Sequence, residues 1–528
     1  MDGMDGREDH VMEAPIVVVG QPCTGKSTLG SSLQNMLSGY KHISVGDLIR
    51  ADRDSRGSVW PLDLRNAFDG RRGFPADFIS KLVTESWRDC QELQGCILDG
   101  GPPLGAALRK IDVAPLLSIV LEASDAVRED RFQERRRHNL RTDDSLDLFR
   151  RRSAQYRLNL AETLVELADL GPQLHLDANA ETSAVLYQAL SATLLSRVVH
   201  HHRRRLTNPN SATVASAAKL ALDRPGRSVR VPAVDGSTPV SPIMIIKPGF
   251  EYGPNLVAAV DECLAPFGYT IGELVVWTDS DLKQAGMVAA HFDRQWIYSQ
   301  YASALLEPAV RGGQEIADEY TLDSLNAWEA SHPAKVGPGR WQADLRLPDG
   351  SWIRAVNGHM PGVVRGYLQP GAFVTALRLV ARPGASCARW RELRRDLLGT
   401  TDPRLATPSS LRGKAYGGAL PLSGEVSFQN NAFHLSAGPL EAIRERLIWF
   451  GPPACSSREL SLLLNLATEK PDPAGEGSFA STECMDWYEI LPRLAGWTLL
   501  PPDLLLGGEE DPAHLLARLT GWHATNGE

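Results

Sequence analysis

The stretch Ile16-Val17-Val18-Val19-Gly20-Gln21-Pro22-Cys23-Thr24-Gly25-Lys26-Ser27-Thr28 constrains the fold of this chain more than any other. The apolar, β-branched run reads as a buried strand. It passes directly into the pattern G-x-x-x-x-G-K-S. In that pattern Gly20 and Gly25 allow backbone N–H groups to curl around a polyphosphate. Lys26 reaches the β- and γ-phosphates, and the Ser27 hydroxyl ligates Mg²⁺, with Thr28 beside it at the loop exit. Leu29–Leu37 then reads as a helix whose positive N-terminal end faces the anion. An ordinary glycine-rich strand-to-helix turn is the plain alternative. Strand, loop and helix in this order form the context that a phosphate-binding loop requires.

At 528 residues the chain exceeds what one core usually supports, so two or more domains are expected. Its 43% hydrophobic content suffices for ordinary globular cores. A net charge of −9 gives no support to a nucleic-acid partner. The seven cysteines are scattered without C-x-x-C pairs, which fits a reduced, cytoplasmic protein rather than a disulfide framework or zinc site. The polar, acidic start MDGMDGREDH is not expected to be a signal peptide, and no run is long enough to span a membrane.

A first domain is expected over residues 13–195. After the phosphate loop come His42-Ile43-Ser44-Val45-Gly46-Asp47-Leu48-Ile49-Arg50 and the strand-like Gly95-Cys96-Ile97-Leu98-Asp99, which ends in Gly100-Gly101-Pro102-Pro103. Leu116–Leu121 is another apolar run. An arginine-dense region, Arg131 to Arg152, contains Arg141-Thr142-Asp143-Asp144, and Leu174–Ala178 closes the series. Strands alternating with helical stretches imply an α/β fold on a parallel sheet, with its ligand at the C-terminal strand ends. Arginine forks suit the equatorial oxygens of a transferring phosphoryl group. A solvated helix face and an RNA-binding patch are the other readings of the arginine run.

These segments, in this order, resemble adenylate kinase and its nucleoside-monophosphate kinase relatives. The resemblance implies that Arg50 grips the acceptor monophosphate and that Asp99 lies near Mg²⁺. It places Arg131, Arg135, Arg141 and Arg152 around the phosphoryl group in transfer, with ATP as donor. The chain departs from the family at four points. Pro103 stands where an arginine usually holds the monophosphate, and Leu104-Gly105-Ala106-Ala107 lacks the usual adenine-reading glutamine. Val45 replaces a threonine, and the segment between Arg135 and Arg141 is short. An acceptor other than AMP is the expectation.

From Arg197 to Val240 the composition shifts to HHHRRR and then to Ser, Ala, Pro and Gly, so residues 196–240 read as a linker with an exposed basic turn. Adjacent histidines without a second ligand cluster make a poor metal site. A second domain is expected over 241–450. It opens with Ile243-Met244-Ile245-Ile246-Lys247-Pro248-Gly249 and continues with a helix at Leu256–Pro266 and strands at Ile271–Trp277 and Phe373–Val380. Then follow Arg395-Asp396-Leu397-Leu398-Gly399-Thr400-Thr401-Asp402-Pro403, Pro408–Gly413, Asn431-Ala432-Phe433-His434-Leu435-Ser436, and a helix from Pro439 to Leu447 ending Ile448-Trp449-Phe450. A neutral imidazole is a nucleophile near pH 7 and needs an acceptor to fix its tautomer. The surrounding arginines and lysine supply charge for a transient phosphohistidine.

This order of motifs resembles nucleoside diphosphate kinase, with its ferredoxin-like α/β fold. The resemblance implies that His434 carries the phosphoryl group. Lys247, Arg395, Thr401, Arg412 and Asn431 would bind the triphosphate or the ribose, and Ser436 and Glu445 would support the imidazole. The departures are Lys-Pro-Gly-Phe at the opening, Phe292 for a tyrosine, Leu-Ser-Ala after His434, and an insertion over about 307–370. Leu347-Pro348-Asp349-Gly350-Ser351-Trp352 within it reads as a hairpin. Base stacking would fall to an aromatic in Trp296–Tyr301. Residues 451–528 read as a helical appendage.

The two resemblances together imply a bifunctional nucleotide kinase using ATP and Mg²⁺. It would take a monophosphate to its diphosphate by direct transfer, and the diphosphate to its triphosphate through phosphohistidine. The partners implied are nucleoside mono- and diphosphates, with no nucleic acid and no membrane; a homo-oligomer is allowed. A nucleotide-binding regulator with degenerate kinase domains, and a phosphate-loop kinase of a non-nucleotide small molecule, are the alternatives.

Overall fold

The computed structural model describes residues 14–88, 90, 93–138, 145–207, 241–250, 254–319, 328, 331–337, 339–346, 350–427 and 430–451. The chain divides into two compact units, with the boundary between Ser196 and Arg197.

The first unit is built on a parallel sheet of five strands in the order β2-β3-β1-β4-β5. These are β1 (Ile16–Gly20), β2 (Tyr40–Ser44), β3 (Gly95–Gly100), β4 (Leu117–Glu122) and β5 (Gln173–Asp177). Every residue of β1 is buried, as a central strand covered on both faces must be. It pairs Val18 with Asp99 on one side and Gly20 with Leu121 on the other. The strand order reverses at β1, so the phosphate loop leaves the sheet at the crevice where α/β folds bind ligands. Around the sheet lie α1 (Lys26–Met36), α2 (Val45–Arg56), α3 (Leu62–Phe68), α4 (Ala76–Arg88), α5 (Pro103–Lys110), α6 (Asp125–His138) and α7 (Leu146–Leu170); α8 (Thr182–Thr207) belongs to this unit only as far as Ser196. The hydroxyl of Ser145 caps α7 by accepting from Leu148 N at 3.1 Å. A buried aromatic centre holds α2, α3 and α4 together. Trp60 meets Phe68, Phe74 and Phe78 with ring centroids 5.8, 6.5 and 6.3 Å away, and its indole N–H donates to Asp52 at 2.7 Å.

The second unit carries an antiparallel sheet in the order β13-β6-β12-β7. Its strands are β6 (Ile243–Ile246), β7 (Tyr269–Thr278), β12 (Phe373–Ala381) and β13 (Phe433–Leu435). Numbered along the chain within this sheet, the order is fourth, first, third, second. The stretch expected as an insertion forms a separate four-stranded sheet, β8-β11-β10-β9. Its strands are β8 (Val310–Gly312), β9 (Ala334–Gly337), β10 (Arg340–Arg346) and β11 (Trp352–Val356). Ile316, Trp328, Ala343, Leu345 and Ala355 give this sheet its own small core. β10 and β11 are antiparallel with Arg346 opposite Trp352, as a hairpin there requires. Residues 347–349 of that hairpin lie outside the described residues.

The structure corrects the sequence reading at the linker. His200–Arg205 is no exposed turn: α8 continues through it to Thr207. The Ala- and Leu-rich run before it starts a helix, and arginine sustains one. His202 is buried, with its Nε2 2.8 Å from Ile448 O and its ring 5.2 Å from Trp277. The rest of the expected linker, residues 208–240, and the expected appendage, residues 452–528, lie outside the described residues. Among the described residues no helix is long and apolar enough to cross a membrane.

Candidate active site

The phosphate loop folds as its residues demand. Gly20 has no room for a side chain: a Cβ there would lie 2.6 Å from Thr24 Oγ1 and 2.8 Å from Leu121 O. Gly25 sits at φ 99°, which a side chain disfavours, and α1 begins directly after it. Lys26 folds back over the loop, donating to Gly20 O at 2.7 Å and Gln21 O at 2.8 Å. Burial, with a smaller push from Arg128 and Arg135, lowers the Lys26 ammonium to about 8. An anion in the loop would reverse that shift.

A cavity of about 720 Å³ opens from this loop. Gly20, Gly25, Lys26, Ser27, Thr28, Arg50, Asp99, Arg131, Arg135 and Arg152 all line it, so the structure gathers these sequence-predicted residues in one place. Arg131 reaches from α6 to Thr24 O at 3.3 Å and Ala178 O at 2.7 Å. Arg152 of α7 holds Phe68 O through Nε at 3.1 Å and Nη2 at 2.8 Å. Arg50 is paired to Asp47 while still facing the cavity. Arg141 lies outside the described residues. Asp99, at the end of β3, is buried and engaged: His42 Nε2 stands 2.7 Å from one oxygen, and Ser44 donates to the other at 3.2 Å. A hydroxyl from Ser27 and a carboxylate from Asp99 are oxygen donors of the kind Mg²⁺ takes.

Sequence reasoning missed several residues here. Arg128 is buried, donating to Ser153 Oγ at 3.0 Å and toward Pro22 O at 3.4 Å, and it is also paired to Asp125. It thereby ties the loop to α6 and α7. Arg72 lines the cavity from the Gly70-Arg71-Arg72-Gly73 turn, a local basic signal that could have been found.

In the second unit the expected residues also converge, with one exception. His434 of β13 places its Nε2 2.5 Å from Glu445 Oε1, and Ser436 Oγ donates to Glu445 Oε2 at 2.5 Å. Glu445 comes from the helix Pro439–Phe450 and is buried, which pushes its carboxyl upward against the pull of His434. At the end of β6 the Lys247 ammonium donates to Asn431 Oδ1 at 2.8 Å, and Asn431 Nδ2 donates to Thr401 O at 2.9 Å. Burial and then the charge of Arg412 lower Lys247 to about 7. Arg412 donates to Phe433 O at 2.9 Å and Gly399 O at 3.1 Å. Burial and then Arg394 bring it to about 10.

The exception is Arg395, which is exposed and bound twice to Asp396, each time at 2.7 Å. Arg395 lies in a π-helical turn, Leu393–Leu398, whose buried side chains are Leu393, Leu397 and Leu398. It is Arg394 whose charge is felt at Arg412. His291, unremarked as a site residue in the sequence, is buried with its ring 4.8 Å from that of His434 and its Nδ1 3.5 Å from Glu445. Burial, then His434, hold it far below its usual range, so it is neutral.

The comparisons with known proteins concern the first unit. The AAA domain family matches residues 16–156. UMP-CMP kinase 2 of Caenorhabditis elegans is 28% identical over 149 residues, covering 28% of this chain and 78% of that protein. UMP-CMP kinase of Lentinula edodes is 24% identical over 193 residues, covering 34% of this chain and 84% of that protein. Adenylate kinase isoenzyme 1 of Cyprinus carpio is 28% identical over 153 residues, covering 28% and 78%. With the phosphate loop, the parallel sheet and the arginine-lined cavity, these relatives define a phosphotransferase. Its first unit is a nucleoside-monophosphate-kinase-like domain.

Proposed function

We propose that this chain is a bifunctional nucleotide kinase that raises a nucleoside monophosphate to its triphosphate in two chemically different steps. For the first step the supporting observation is the cavity that brings Lys26, Arg131, Arg135 and Arg152 around one phosphate loop. An acceptor phosphate oxygen attacks the γ-phosphorus of ATP, the β–γ bridging bond breaks, and the two diphosphates leave. Lys26 and the arginines offset the charge on the oxygens in transfer, and phosphoryl transfer needs little else from a protein. Mg²⁺, held by Ser27 and Asp99, would add charge neutralisation at the phosphates. By this reading the acceptor is not AMP, or is AMP only poorly, since Pro103 and Ala107 offer neither a guanidinium nor an amide.

For the second step the single carrying observation is the Glu445 contact at His434 Nε2. It makes Nε2 the protonated nitrogen and leaves Nδ1 as the nucleophile. Nδ1 takes the γ-phosphoryl group of a triphosphate and a diphosphate leaves. The terminal oxygen of a second diphosphate then attacks the phosphohistidine and restores the imidazole. Lys247, Asn431, Thr401 and Arg412 surround that exchange. The fourth-first-third-second strand order, which is that of ferredoxin-like sheets, supports this reading of the second unit.

Purified chain with γ-labelled ATP tests both steps. Acid-labile, alkali-stable label lost in His434→Ala, and a labelled diphosphate from one member of an AMP, CMP, UMP, GMP and dTMP panel lost in Lys26→Ala, are the expected results. AMP as clearly the best acceptor overturns the acceptor assignment. Absence of label and product from every nucleotide would favour a nucleotide-binding regulator instead, and product from a non-nucleotide alone would favour a small-molecule kinase.

A further inference from the structure

The acceptor half of the first cavity has lost the usual base-reading side chain on α5, yet a base must still be told from its competitors. Recognition of a base edge needs hydrogen-bonding groups that donate and accept side by side, and carboxamides do this best. Among the described residues lining the cavity only two carry one, Gln155 and Asn159. Both lie on α7, one turn apart, and continue the face that begins with Arg152. Asn159 follows Arg152 by seven helical positions, about 10 Å along the axis. That span matches a nucleotide laid along the helix with its phosphate at Arg152 and its base at Asn159.

The surroundings agree with that placement. Asn159 stands beside the Gly70–Gly73 turn, where a Cβ on Gly73 would come within 3.9 Å of its Nδ2. Its Nδ2 donates to Gln155 O at 2.8 Å, which holds the amide and leaves Oδ1 as its acceptor atom. Phe74, half-buried, lines the same region and gives a base apolar surface to lie against. The Ser44 hydroxyl is taken up by Asp99, so it does not compete for the role. Resting on the monophosphate-kinase reading above, the geometry points to Asn159 and Gln155 as the residues that determine which acceptor base is used. Asn159 Oδ1 accepts from an amino or imide N–H on the base edge, and Gln155 completes the pair.

The test is steady-state kinetics on the full chain with ATP and the five-monophosphate panel, comparing wild type with Asn159→Leu and Gln155→Leu. Asn159→Leu is expected to raise KM for the preferred monophosphate roughly tenfold or more, because the base edge meets an apolar group. KM for ATP should stay within about twofold, since that pocket does not involve the amide. The spread of kcat/KM across the panel should narrow, a change that a structural role alone would not produce. Should leucine disturb the fold, Asn159→Ser reads the same ranking with a smaller polar side chain. A ranking and acceptor KM unchanged in these variants, with an active wild type, overturns this assignment alone. A wild type that phosphorylates no monophosphate overturns the kinase reading and this assignment with it.

Discussion

Lys26 and Glu445 show how burial sets what a single side chain can do. With its ammonium near 8, Lys26 is about half protonated at that pH in the free protein. A polyphosphate stabilises the charged form, so ATP binding at pH 8 is expected to take up about half a proton. Calorimetry in buffers of different ionisation enthalpy measures this. Affinity should weaken as pH rises through 8, the direction required of a cation whose value is lowered in the free site. Lys247, near 7, predicts the same trend about one unit lower for phosphorylation of His434. Glu445→Gln removes a charge-assisted bond to the imidazole, a loss of about 1.5–3 kcal/mol. The phosphohistidine should therefore form roughly ten- to a hundredfold more slowly, as rapid-quench labelling would read. A rate equal to wild type would remove Glu445 from the mechanism.

Elements place these residues, and some of that placement could be read locally. The phosphate loop was legible because strand, glycines, lysine and helix are neighbours in sequence and their geometry is short-range. The arginines of α6 and α7 were legible as a run, and the structure brings Arg131, Arg135 and Arg152 to the cavity from two separate helices. The π-helical turn at Leu393–Leu398 was not legible, because no residue spacing announces one. Nor was Arg128, whose partners Pro22 and Ser153 lie far along the chain in either direction. Trp60 ties α2, α3 and α4 through long-range aromatic contacts. Trp60→Ala should lower the unfolding free energy of the first unit by about 3–5 kcal/mol, measurable by urea titration. A loss under about 1 kcal/mol would mean that the aromatic centre can collapse to fill the gap.

On the scale of the whole molecule, each unit has its own sheet and its own core, one around Val17 and Leu98 and the other around Met244 and Leu377. Residues buried in separate cores tend to contribute independently. Lys26→Ala is therefore expected to abolish monophosphate phosphorylation while leaving protein-bound label intact, and His434→Ala the reverse. Loss of both activities in either single variant would show that the two sites depend on one another.

The sequence alone determined what short-range chemistry can determine: a phosphate loop between strand and helix, an α/β alternation, and a histidine set among basic residues. These follow from neighbouring residues and their periodicity. The tertiary structure decided which distant groups meet. It joined Asp99 to His42, set Glu445 against His434 Nε2, and buried His202 within a helix that composition marked as linker. Such pairings depend on packing between elements far apart in the chain, and burial then sets the protonation on which the chemistry depends.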